Sequence, residues 1–239
     1  MSGINLIQLM WGHMLPILSS LRGRLIVSCQ PVPGGPLDQP DIVAAFALAA
    51  LDGGAAGLRI EGIANLRAVR RVTDAPVIGL IKRDLPGSPV RITPLEQDAR
   101  DLVAAGADII AFDATDRPRP EPLAGLVAAI HVAGAAAMAD CALVADGQLA
   151  HRLGAAILGS TMAGYTGGPV PDGPDLDLVR ALAAIGGFVV AEGRYQTPAQ
   201  AALAMQAGAS AVVAGSAITR PEHITEWFAS AIAQSVARP

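Results

Sequence analysis

Leu95-Glu-Gln-Asp-Ala-Arg-Asp-Leu-Val-Ala-Ala-Gly-Ala-Asp-Ile-Ile-Ala-Phe-Asp113 holds, in order, a stretch of helical period, a Gly-Ala step, a β-rich run and a carboxylate. Leu95 to Ala105 is long enough for a crossover helix, and Gly106 supplies the left-handed cap that turns the chain into the next element. Asp108 to Phe112 is almost continuously apolar, as expected of a strand covered on both faces in a parallel sheet. The same Gly-Ala step stands at Gly54-Ala55, Gly154-Ala155 and Gly208-Ala209, so with Gly106 the successive spacings are 52, 48 and 54 residues.

Working outward, seven more β-rich runs follow the pattern: Leu25 to Cys29, Ala56 to Ile60, Val77 to Ile81, Ala136 to Asp140, Ala155 to Leu158, Phe188 to Glu192 and Ser210 to Ala214. Alanine-rich stretches of helical period lie between them, among them Asp41 to Leu51, Pro122 to Val132 and Pro198 to Ala207. Alternating strands and helices predict βαβ units. A doubly wound sheet gives similar local signals, but eight units within 239 residues fit a closed (β/α)8 TIM barrel. The whole chain, 1–239, is read as one domain, with residues 25–239 forming the barrel.

Residues 1–24 are read as a helix packing across one end. Ile4 to Leu21 is apolar, but it has no basic flank or small-residue cleavage site, and Gln8, His13 and Pro16 interrupt it. It is too broken to span a bilayer, and a membrane-surface helix is the alternative reading.

A hydrophobic fraction of 52% with 16% charged residues describes a globular protein with a large core. With a net charge of −4 and no basic stripe interleaved with aromatics, the chain lacks the electrostatic footprint of a nucleic-acid binder. Cys29 and Cys141 form neither a metal-binding nor a disulfide pattern, which fits a reduced, cytoplasmic compartment. The apolar outer helices suggest a homodimer.

In such barrels chemistry sits at the carboxyl ends of the strands. Lys82 stands at the third of these ends and is the only lysine among 17 cationic residues. An amine can shed its proton near neutral pH, whereas a guanidinium in practice cannot. That selective use of lysine points to proton transfer or to Schiff-base chemistry. None of His13, His131, His151 or His223 falls at a strand end, so proton transfer moves onto Lys82 and the carboxylates, and no metal site is expected. Arg83 and Arg59 are expected to lie close enough to disfavour a second cation at Lys82.

Ala191-Glu-Gly-Arg194 and Val213-Ala-Gly-Ser216 place glycines at the ends of adjacent strands, where backbone amides can converge on a phosphate, and Arg220 can add a charged fork. Phosphate contacts are therefore expected from Gly193, Arg194, Gly215, Ser216 and Arg220. Glu192 should face Lys82 across the mouth. Asp140 is balanced between substrate contact and a structural role, whereas Asp113, followed by Arg117 and Arg119, is read as structural. Arg59 projects from the second strand as a sugar or carboxylate contact. Gly164 to Pro174, dense in glycine and proline, is a candidate lid, with a solvated linker as its plain alternative.

From Leu25 to Ile232 the chain resembles the N-acetylmannosamine-6-phosphate 2-epimerases of sialic acid breakdown. The resemblance rests on Leu25-Ile-Val-Ser-Cys-Gln30, Arg59-Ile-Glu-Gly62, Ile81-Lys-Arg-Asp84, Val90-Arg-Ile-Thr93, Asp113-Ala-Thr115 with Arg117-Pro-Arg-Pro120, Met138-Ala-Asp140, Ala191-Glu-Gly-Arg194 and Gly215-Ser-Ala-Ile-Thr-Arg220. It implies a barrel without metal or cofactor that inverts C2 of an N-acyl-hexosamine 6-phosphate. It also implies that Lys82 is the base, that Glu192 assists, that Gln30, Arg59 and Asp140 hold the sugar, and that Gly193, Gly215, Ser216 and Arg220 surround the phosphate. Ala163 and Ala142 depart from residues common in the family and place loop contacts in question. A Schiff-base phosphosugar aldolase and a non-catalytic phosphosugar-binding regulator stay open as rival readings.

Overall fold

Every expected β-rich run forms a strand, with bounds within two residues of those expected: β1 (Leu25–Cys29), β2 (Gly57–Glu61), β3 (Val77–Leu80), β4 (Ile109–Asp113), β5 (Ala136–Asp140), β6 (Ile157–Gly159), β7 (Phe188–Ala191) and β8 (Ala211–Ala214). In the computed structural model, which describes residues 6–236 and side chains from Met14 onward, all eight are parallel and pair in chain order. β8 then pairs with β1, so the sheet is a closed barrel. The helices are α1 (Leu6–Leu21), α2 (Pro40–Asp52), α3 (Ile63–Arg70), α4 (Glu96–Ala104), α5 (Leu123–Val132), α6 (Val144–Arg152), α7 (Leu176–Ile185), α8 (Pro198–Gln206), α9 (Ser216–Thr219) and α10 (Pro221–Val236). Those between strands are the crossovers that a parallel ladder requires.

Successive side chains on a strand point to opposite faces, and the apolar residues divide accordingly into two layers. Val27, Leu58, Ile60, Val77, Ile110 and Leu158 pack outward against α2 to α8. Ile26, Ile78, Leu80, Ile109, Met138, Phe188, Val190 and Val213 fill the inside. Continuous apolar runs in the sequence thus hide a strict alternation between two buried environments.

α1 closes the amino ends of the strands, where Met14 and Leu21 join the interior cluster and Ile17 and Leu18 pack against it. Leu21 lies so close over β2 that a Cβ on Gly57 would come within 2.7 Å of its Cδ2. Residues 1–5 of the expected capping segment, and the side chain of His13, lie outside the described residues. Among the described residues no helix is long and apolar enough to cross a membrane. α10 differs from the barrel helices in having no buried residue, and Phe228, Ile232 and Val236 are exposed along it.

Candidate active site

The inward register that carries Ile26, Leu80, Met138 and Val190 brings Ser28, Lys82, Asp140 and Glu192 to the carboxyl ends two residues later, and on β2 it carries Arg59 and Glu61. These side chains surround the mouth of the barrel, where a cavity of about 410 Å³ is lined by Gln30, Lys82, Thr161, Glu192, Ser216 and Arg220 among others.

Arg59 and Asp140, both expected at the sugar, are fully buried and paired with each other, and neither lines the cavity. The guanidinium takes Asp140 in a two-point fork, Nη2 to Oδ2 at 2.6 Å and Nη1 to Oδ1 at 3.2 Å. The same Nη1 lies 2.7 Å from Glu192 Oε2. Arg59 Nε has no partner among the described residues. Thr161 Oγ1 stands 2.6 Å from Asp140 Oδ1 and 3.2 Å from Glu192 Oε2. Gly159 makes that reach possible, because a Cβ there would meet Met138, Thr161 and Asp140 at 2.8, 3.1 and 3.2 Å.

With one cation shared by the buried Asp140 and the part-buried Glu192, the group has a surplus negative charge unless one of them holds a proton. Burial pushes Glu192 up to about 7. The neighbouring Asp140 charge adds to that rise, while Arg59, the Thr161 hydrogen bond and Lys82 oppose it. Once protonated, Glu192 is a hydrogen-bond donor at the edge of the cavity.

The backbone on either side of Lys82 is held by the segment Val90 to Thr93. Lys82 bridges Ile92 in antiparallel fashion, Arg83 N–H donates to Arg91 O at 3.0 Å and Thr93 N–H to Ile81 O at 2.7 Å. Thr93 takes φ of 44°, a conformation unfavourable for a β-branched residue. It is fixed by its hydroxyl, which donates to Ala111 O at 2.6 Å. The Lys82 side chain is part-exposed and donates to Gln30 Oε1 at 2.7 Å and Glu61 Oε2 at 3.0 Å. Its salt-bridge partner is the Glu61 carboxylate. Arg83 turns away to Asp98, with Nη2 to Oδ1 at 2.6 Å, and Arg59 is taken up by Asp140 and Glu192.

Across the mouth, Gly193 and Arg194 have φ of 109° and 60°, and Gly215 leads into the short helix α9. Gly215 O accepts the N–H groups of Ile218 and Thr219, while those of Ser216 and Ala217 belong to the first turn, which has no partner within the helix. Arg220 donates through Nε to Gln30 O at 2.7 Å and borders the cavity. Arg194 also borders it, but its guanidinium holds the glycine-rich loop, with Nη1 on Ala163 O at 2.6 Å, Nε on Gly173 O at 2.7 Å and the Tyr165 ring 5.3 Å away. That loop is thus clasped at both ends by a residue next to the phosphate-type turn.

Asp113 ties Thr115, Arg117 and Arg119 together below the rim. His223 and Trp227, at no strand end, reach the cavity from α10, and Tyr195 reaches it from the loop after β7. Only the tertiary placement of α10 could have identified the first two. Glu61 was legible at the end of its strand, within Arg59-Ile-Glu-Gly62, but nothing in the sequence pairs it with Lys82. Among the described residues no His, Cys, Asp and Glu side chains gather in a set that could hold a metal ion.

Comparison with known proteins gives one consistent result. Residues 43–234 match the family model described as "Putative N-acetylmannosamine-6-phosphate epimerase". Proteins named "Putative N-acetylmannosamine-6-phosphate 2-epimerase" from Glaesserella parasuis and Proteus mirabilis are 58% and 59% identical, covering 90% and 88% of this chain and 94% and 91% of their own. The solved structure of N-acetylmannosamine-6-phosphate 2-epimerase from Clostridium perfringens superimposes with a TM-score of 0.87 at 37% identity, over 89% of this chain and 95% of that one.

Proposed function

The chain belongs to the N-acetylmannosamine-6-phosphate 2-epimerase family, and from that membership we propose how its barrel inverts C2 of N-acetylmannosamine 6-phosphate to give N-acetylglucosamine 6-phosphate. The C2 hydrogen becomes acidic only when C1 is an aldehyde, so the sugar reacts in its ring-opened form. Lys82 Nζ takes the proton from C2, and the electron pair of the broken C–H bond moves into a C1–C2 double bond while negative charge develops on O1. Glu192, protonated, donates a hydrogen bond to that oxygen. Return of the proton to the opposite face of C2 and closure of the ring complete the inversion, with no net gain or loss of protons and no cofactor.

One observation carries this reading. The lone lysine and a carboxyl that desolvation pushes up to about 7 line the same cavity. Arg59, Asp140 and Thr161 support Glu192 from behind, and Gln30 offers its amide at the Lys82 side. The turns at Gly193 and Gly215, with Ser216 and Arg220, form an anion-binding rim for the 6-phosphate. Arg194 serves that rim through its backbone, since its guanidinium holds the loop.

A second copy of the chain covering the exposed Phe228, Ile232 and Val236 stripe of α10 accounts for that helix as part of a homodimer. Burial pushes the Cys29 thiol up to about 12 and raises Cys141 as well, and two unreactive, unpaired thiols fit an enzyme of the cytoplasm. The test is to incubate purified protein with N-acetylmannosamine 6-phosphate alone and follow epimer formation by NMR. Wild type turns over, and Lys82→Arg loses activity by about a thousandfold, within the span typical of general acid–base groups. Trapping of a substrate adduct on Lys82 by borohydride would instead establish Schiff-base chemistry.

A further inference from the structure

We propose that Glu61 is the positioning residue of Lys82, holding the amine so that its one remaining direction points into the cavity. The proposal rests on Lys82 being the base. An uncharged amine has two N–H bonds and one lone pair besides its bond to Cε, arranged tetrahedrally. Two acceptors flank Lys82 Nζ, Gln30 Oε1 at 2.7 Å and Glu61 Oε2 at 3.0 Å. Each can only accept from the amine, so together they take both N–H bonds and leave the lone pair in the third direction. Lys82 and Gln30 line the cavity and Glu61 does not, which places the carboxylate away from the substrate space.

Gln30 is held through its side chain, and Glu61 through its backbone. Gln30 Nε2 donates to Ser28 Oγ at 2.8 Å, which turns its Oε1 toward Lys82, and Gln30 O accepts from Arg220. Glu61 ends β2 in the same inward register as Arg59, and its backbone carbonyl accepts from Asn65 Nδ2 at 3.0 Å. When Lys82 holds the proton from C2, the new N–H occupies the direction that the lone pair had. Glu61 is also the carboxylate paired with the ammonium so formed, the one ion pair that Lys82 makes among the described residues.

The test compares Glu61→Ala with Glu61→Gln, which keeps a carbonyl acceptor without the charge. Glu61→Ala is expected to lower kcat by about tenfold or more, as misdirection of a reacting group does, with KM unchanged because Glu61 does not touch substrate. Glu61→Gln is expected to recover most of that loss. Should Glu61→Ala fail to fold, Glu61→Met against Glu61→Gln gives the same contrast. Wild-type kcat in Glu61→Ala, a loss confined to KM, or Glu61→Gln no better than Glu61→Ala would each overturn the inference. If Lys82→Arg keeps turning over, the base assignment itself fails; if Lys82 is required and Glu61→Ala is fully active, this inference alone does.

Discussion

The two ends of the barrel interior use the same strands in the same inward register, yet they are held together differently. At the amino ends, Met14 and Leu21 of α1 join Ile26, Ile78, Ile109 and Phe188 in one apolar cluster, with Arg22 over the Phe188 ring at its edge. At the carboxyl ends, Ser28, Arg59, Lys82, Asp140 and Glu192 stand in the same rows, and each has a partner named by its chemistry. Apolar packing is non-directional and needs only shape. A charged layer needs partners in fixed directions, because an unpaired buried charge is costly. What the comparison teaches is that one register supplies an apolar plug at the first pole and the proposed proton-transfer groups at the second.

Substitutions at the two poles should therefore separate the two properties. The largest effect expected is on turnover: the roughly thousandfold loss in Lys82→Arg should leave the denaturant midpoint close to that of wild type, since the side chain is part-exposed and the cation is kept. A marked loss of stability would mean that the upper layer also carries the fold. Next in size, Leu21→Ala should cost about 2–5 kcal/mol of stability by leaving a cavity over Gly57, read from chemical denaturation, with kcat unchanged in the fraction that stays folded. A fall in kcat there would couple the poles.

The smallest effect concerns Glu192. Burial raises its carboxyl from an ordinary 4.5 to about 7, so the folded protein keeps a proton that the unfolded chain has already released. The stabilisation linked to that proton is complete below about 4.5 and is lost as pH rises through about 7. Compared with Glu192→Gln, which cannot ionise, wild type should lose Tm progressively over that window. A constant Tm difference across it would mean that Glu192 is ionised throughout.

Strand positions were legible in the sequence because Gly-Ala steps and apolar runs are local signals, and strand ends such as Lys82 and Glu192 followed from them. The inward and outward alternation was not, since both faces of each strand are apolar and only the paired register separates Leu58 from Arg59. That is why Glu61, two residues after Arg59 and on the same inward face, was not matched to Lys82. The pairing of Arg83 was hidden for the same reason: adjacent residues of extended chain point opposite ways, and Arg83 turns to Asp98. Likewise Arg194 was legible as part of a turn, but not as the clasp of a loop whose ends meet it only in three dimensions.

The central claim is that Lys82 moves the hydrogen at C2, and exchange in heavy water tests it most directly. Wild type incubated with N-acetylglucosamine 6-phosphate in deuterium oxide should replace the C2 proton at a rate comparable to turnover, because the Lys82 and Glu61 side chains, 28% and 25% exposed, can trade protons with solvent. Lys82→Arg should leave the C2 signal intact over the same period. Exchange in that variant at the wild-type rate would contradict the account.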